Sequence, residues 1–386
     1  MKNLLKKIAD FTVMVFKKVS SFTVIILKKI GSFIKSDRLK KAIFGHSAAK
    51  GVIGQIIVYV LLIGVSYVFL FPILRMMMLS FMSQNDILNP EVSWIPQQWT
   101  LNNFVVSNYI LQLLPPSWTA SNLNFFDRVF GTFTNPGSLF KSIYNISILA
   151  IIQTIISALT GFAFARYNFR FKKVMFVMLL LSFIIPLPML TIPRIMMISG
   201  IQESFWVPLY DALFANNFLA GFFNRTMFSS LMPQIIFSFV GQGINSAILI
   251  LIFYNFFKMI PISLDEAARI DGASSIQVFW HIYIRLVIPI VLIVFLFSFI
   301  WNWNDIYTAT IFYSSNNPLI VMRLSMFDSI FADMIGSAPG DVGVGLINEG
   351  YKSAATFLSI LPLMILYLVA QKQFIEGIER TGMTGE

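Results

Sequence analysis

The chain has 386 residues, 57% of them apolar and only 12% charged, with 40 Phe and a mean hydropathy of +0.76. A water-soluble domain carries about twice that charged fraction, so the composition specifies a polytopic membrane protein. Cys is absent and His occurs only at His46 and His281, which excludes disulfides, thiolate nucleophiles and Cys/His zinc sites and leaves little imidazole for acid–base catalysis.

The net charge of +10 is concentrated at one end. Residues 1–50 hold eleven Lys and Arg38 against Asp10 and Asp37, and the rest of the chain holds 16 basic and 16 acidic groups. This basic segment repeats every 11 residues: Lys6-Lys7, Lys17-Lys18 and Lys28-Lys29, with Phe11, Phe22 and Phe33 in step. Eleven residues are close to three helical turns, so equivalent positions share one face. A lysine stripe and an apolar stripe (Ile8, Phe11, Val15, Val19, Phe22) predict a basic amphipathic extension lying on a membrane surface. A solvated extension that helps set topology is the plainer alternative. The interleaved aliphatics and single Arg argue against nucleic-acid binding.

Residues 51–386 read as an all-α membrane domain. Apolar runs of about 20 residues are the spanning unit, and six occur: Val52–Leu74, Ile143–Ala165, Val174–Ile192, Met232–Phe256, Leu286–Ile300 and Ala354–Ala370. The fifth is short and is expected to continue from the preceding helix through Pro289. Pro186, Pro188 and Pro193 crowd the third and suit either a pathway-lining element or a packing kink. Lys and Arg cluster in 1–50, in Arg166–Lys173 and in 258–285, so the positive-inside rule puts these segments and both termini in the cytoplasm.

The most informative stretch is the loop at 258–285. Ser263 with Glu266, and Ser274 with Gln277, have the spacing of two capping boxes. Gly272 stands between them, where a helix end favours positive φ. The pattern predicts a short helix from about 264 to 271, a sharp turn, and a second helix that re-enters the membrane. Glu266-Ala267-Ala268, then Gly272 and Ile282, resembles the EAA motif of ATP-binding-cassette importer permeases. The wider EAARIDGAS resembles the carbohydrate importers in the group of the maltose-transporter permease subunit. PQQWTLNNF (96–104), Asn145 with GFAFARYNFRFKK (161–173), FIWNWND (299–305) and LPLMILYLVAQKQFIEGIE (361–379) follow the same group in the same order. The chain departs from the motif at Ile284 and Arg285, where the family has Leu-Pro.

The resemblance implies a cytoplasmic coupling helix seated on a separate ATPase subunit, with Glu266, Ala267, Ala268, Asp271 and Gly272 as the coupling residues. It implies a second permease subunit, two ATPase subunits, an extracytoplasmic solute-binding protein, a bacterial cell membrane and a sugar or oligosaccharide cargo. No nucleotide-binding loop occurs, so ATP would be bound by the partners, and the chain itself is expected to be no enzyme and to carry no cofactor. Glu266 could also serve only as a helix cap. Asn145 and Gln153, on the second span, could bond across helices or face sugar. Trp301, Asn302 and Asn304 could form an interfacial belt or line the path. A secondary transporter is the alternative; it would ordinarily show intramembrane acidic ion sites, and the spans hold almost none.

Overall fold

The computed structural model describes residues 52–115, 124, 136–213, 225–228, 230–313, 318–336 and 342–383. The extension 1–50 lies outside the described residues. Among the described residues the secondary structure is helical, apart from an isolated antiparallel bridge between Met82 and Trp99.

The chain divides into two units after Arg75. Helix α1 (Val52–Phe81) crosses that boundary. Its part in the first unit is apolar on every side, the pattern of a membrane-spanning helix.

The second unit is built on α3 (Ser138–Arg166), which follows α2 (Asn102–Leu111). One face of α3 puts Ile146 and Ala150 into a core with Ile110 and Leu111 of α2, Phe299 and Trp303 of α10 (Ile288–Trp303), Ile320 of α12 (Ile320–Ser325), which follows α11 (Ile306–Phe312), Phe327 and Phe331 of α13 (Phe327–Ile335), and Ala355 of α14 (Val342–Met383). Further along, Ala158 and Phe162 join a second core. Its other members include Leu249, Phe253 and Phe257 of α7 (Ser246–Met259), with Phe279, Tyr283 and Val294. Lipid cannot satisfy backbone polar groups, so these packed helices carry the polar chain through the apolar phase.

Among the described residues, three helices are long and apolar enough to cross a membrane: α1, α3 and α14. Three bent pairs pass the same test together, which gives up to six crossings when each pair counts as one. Breaks in the helices correct three expected spans. Val174–Ile192 is not continuous: α4 (Lys172–Ile184) and α5 (Leu187–Ile201) are broken at Pro186, and the pair is bent by 111°. Pro186 and Pro188 lack the N–H a continuing helix needs. Met232–Phe256 is also divided, into α6 (Met232–Phe239) and α7. Gly241 (φ 72°) and Asn245 (φ 52°) lie between them in left-handed conformations. Finally, the helix before Val287 does not run on into α10. Val287 breaks the chain, the two sides meet at 80°, and Pro289 sits in the first turn of α10, where a missing N–H costs nothing.

Candidate functional site

At one end of the second unit α7 stops at Met259, because Ile260 is extended and Pro261 follows. Helix termini leave orphan carbonyls. Here Arg166, the last residue of α3, reaches across and donates from Nη2 to the carbonyl of Phe257 at 2.5 Å and to that of Ile260. A cation at a helix C-terminus is also favoured by the helix dipole. The same guanidinium lies 4.8 Å from the ring centroid of Tyr283, a fully buried residue on the returning arm of the loop. One side chain thus ties α3 to both arms.

Helix α8 (Ile262–Ile270) begins two residues before the expected start, with Pro261 as N-cap and no side-chain cap. The first expected capping box is therefore not formed. The Pro261 carbonyl already accepts from the Leu264 N–H, which places Ser263 inside the first turn instead of before it. Glu266 is then released from capping, and its side chain is exposed.

The helix ends as expected at Gly272, with φ +82°. The Ala273 N–H bonds the Ala268 carbonyl at 2.9 Å and the Gly272 N–H bonds the Arg269 carbonyl at 3.1 Å. This pair of bonds is a Schellman motif, which requires a left-handed residue at Gly272. Ala268 and Ala273, which flank the turn, pack on the core beneath it. Two residues later the second capping box is complete. Ser274 N–H donates to Gln277 Oε1 at 2.8 Å, and Gln277 N–H donates to Ser274 Oγ at 3.4 Å, opening α9 (Ser275–Val278). A π-turn (Phe279–Tyr283) then carries the chain back towards α10.

The turn presents Glu266, Ala267, Asp271 and Gly272 on its exposed side, with Ala268 half-buried. Ile270 and Ile276 are 86% and 72% exposed. Two bare isoleucines beside acidic groups, on a loop braced from behind, are suited to a protein partner rather than to chemistry. Asp265 accepts from Arg269 at 3.3 Å, one turn apart, and that hydrogen bond holds the Arg269 guanidinium above its ordinary pKa. Arg166 was legible in the sequence only as a topogenic charge. Its signal was its place at the end of a span, within reach of other helix ends.

The other candidate residues fall in two groups. Gln153 and Asn302 are brought together: Gln153 Oε1 accepts from Asn302 Nδ2 at 3.0 Å and from Ser298 Oγ, all buried. Asn302 also donates to the Ser298 carbonyl at 2.7 Å. Asn145 is buried on α3, about two turns away from Gln153. Asn304 is exposed and bonds the Ile300 carbonyl of its own helix. Trp301 stacks on Phe297 at 5.5 Å, while Trp303 is buried and donates to the Ser359 carbonyl.

Comparison with known proteins agrees with this architecture. The chain is 28% identical over 336 residues to the maltodextrin transport system permease protein MalD of Streptococcus pneumoniae, covering 86% of this chain and 96% of that one. It is 28% identical over 256 residues to the melibiose/raffinose/stachyose import permease protein MelC of Bacillus subtilis, covering 64% and 77%. Its fold matches a chain of a bacterial ABC transporter involved in the import of the acidic polysaccharide alginate, with a TM-score of 0.57, 18% identity, and coverage of 83% and 96%. Residues 154–380, which include the braced loop and the Ser298–Asn302 end of the buried cluster, match the family of binding-protein-dependent transport system inner membrane components; the chain belongs to that family.

Proposed function

We propose that this chain is the sugar-translocating permease subunit of an ATP-binding-cassette importer, coupled to a separate ATPase subunit through the loop at 258–285. The observation that carries the reading is the exposed α8–turn–α9 unit. Glu266, Ala267, Ala268, Asp271 and Gly272 form its coupling face, which Arg166 joins to the membrane helices. A sugar or oligosaccharide cargo is supported by the relatives named for maltodextrin and for melibiose, raffinose and stachyose. In the working complex this chain pairs with a second permease subunit over two ATPases, and an extracytoplasmic solute-binding protein delivers the sugar. The loop and both termini face the cytoplasm, and residues 1–50 lie along the inner membrane surface. ATP drives transport by binding one conformation of the assembly more tightly than the other. Asn145, Gln153, Trp301, Asn302 and Asn304 are assigned to the path.

The test is co-expression with the ATPase and second permease subunits, followed by purification and reconstitution with the sugar receptor. Sugar-stimulated ATP hydrolysis by the complex, with none from this chain alone, is expected. Hydrolysis by the isolated chain, or a complex whose hydrolysis ignores every receptor-bound sugar, would overturn the reading.

A further inference from the structure

Two of the helix breaks face a common space. A crevice is lined by Ile185 and Leu187 from the break between α4 and α5, by Gly241, Asn245 and Ser246 from the break between α6 and α7, and by Arg194. A second is lined by Gln153, Gln234, Asn302 and Thr308, and again by Arg194. Arg194, Gln242 and Gly243 border both. Interrupted helices are tolerated at membrane depth where they line a polar cavity or are covered by protein.

The walls hold unmatched polar atoms. Gln153 Nε2, Gln234 Oε1, Ser246 Oγ and Thr308 Oγ1 are buried, and none has a hydrogen-bond partner. Gln153, Ser246 and Thr308 are 1%, 3% and 5% exposed. Orphan groups at this depth are costly, and four around adjoining crevices point to something that completes them. The set comprises one donor, one acceptor and two hydroxyls. Its complement is a group that both donates and accepts, which is a hydroxyl. A carboxylate would set acceptor against acceptor at Gln234, and an ammonium would meet the Arg194 cation. Arg194 is held in place, with Nη2 donating to the Gln242 carbonyl at 2.7 Å and the guanidinium 4.8 Å from the Phe237 ring centroid. Gly243 lets the backbone lie close against the Gln153 amide, since a Cβ there would come within 1.9 Å of Gln153 Nε2.

We propose that the joined crevices are a binding subsite for one neutral, hydroxyl-rich sugar ring on the transport path, held by Gln153, Arg194, Gln234, Ser246, Asn302 and Thr308. The inference rests on the sugar-importer reading and adds where the ring is held and by which groups. It also fixes a signature. Removing an orphan polar atom should not weaken the empty protein, yet it should weaken sugar handling.

The experiment uses the reconstituted complex with its receptor and a neutral oligosaccharide that stimulates the wild type. Thr308→Val and Gln234→Met are each expected to raise the KM for uptake about five- to ten-fold. The thermal midpoint should stay unchanged or rise. Thr308→Ser, which keeps the hydroxyl, should restore the wild-type KM. Should a substitution prevent assembly, Gln242→Cys in this cysteine-free chain supplies the second measurement. A water-soluble thiol reagent should label it, and saturating sugar should protect it. A wild-type KM in both variants, or labelling indifferent to sugar, overturns the subsite and leaves the crevices to water. A wild-type complex that no receptor-bound sugar stimulates sinks the importer reading and this inference with it.

Discussion

The coupling loop and the buried crevice are built in opposite ways. Every bond that shapes the turn at Gly272 spans five residues or fewer, and its working side chains stand exposed. The crevice gathers Gln153, Arg194, Gln234, Asn302 and Thr308 from five separate helices, and its working atoms are buried. A surface that must seat a partner needs a fixed local shape, which short-range bonds provide. A site that must release its cargo can leave polar groups incompletely satisfied, at a cost borne by the surrounding packing. The two regions should therefore respond differently to substitution.

The largest effect is expected at Gly272. Proline fixes φ near −65° and the native value is +82°, so Gly272→Pro should cost the loop about 3 kcal/mol or more. The membrane helices are untouched, so the chain should still insert. Retention of the ATPase subunit through purification and sugar uptake should both be lost. Wild-type values in both assays would mean that this loop is not the coupling element.

Arg166→Met comes next and probes where the local unit meets the bundle. It leaves the Phe257 and Ile260 carbonyls without their charged donor, a loss of about 2 kcal/mol. The expected result is a lower thermal midpoint together with ATP hydrolysis that no longer rises with sugar, because the braced loop is loosened from α3. A lowered midpoint with intact coupling would make Arg166 a stabilising residue only.

Gly272→Ala and Ser274→Ala should each cost about 1 kcal/mol, the first through left-handed strain and the second through a lost cap. No atom lies within 4 Å of a Cβ built at Gly272, so strain alone sets that cost. Partial loss of ATPase retention in both variants, measured by pull-down, would sharpen the claim that turn geometry is what the partner reads.

The smallest effect on stability is expected at Glu266. Its side chain caps no helix, so Glu266→Ala should leave the thermal midpoint unchanged while weakening ATPase binding about ten-fold. A lowered midpoint would restore the capping role that the helix start at Ile262 removed.

The sequence alone was sufficient for much that short-range rules govern. Composition identified the membrane as the solvent, runs of about 20 apolar residues marked where the chain can cross it, and Gly272 with Ser274 and Gln277 specified the turn. Local rules failed where two of them competed. Ser263 has cap chemistry, but Pro261 had already started the helix. The expected fourth span also ran straight through 240–245, although Gly241, Gln242, Gly243 and Asn245 interrupt its apolar run there. Only the tertiary structure could show that Arg166 closes the end of a helix 91 positions away in the chain, or that Gln153 meets Asn302 across 149 positions. Asn145, Gln153, Asn302 and Asn304 look alike as polar residues in or beside apolar runs. The packing of α3 against α10 decides that two of them share a hydrogen bond, while Asn304 bonds its own backbone. That choice depends on which helix faces which, and no window of the sequence contains it.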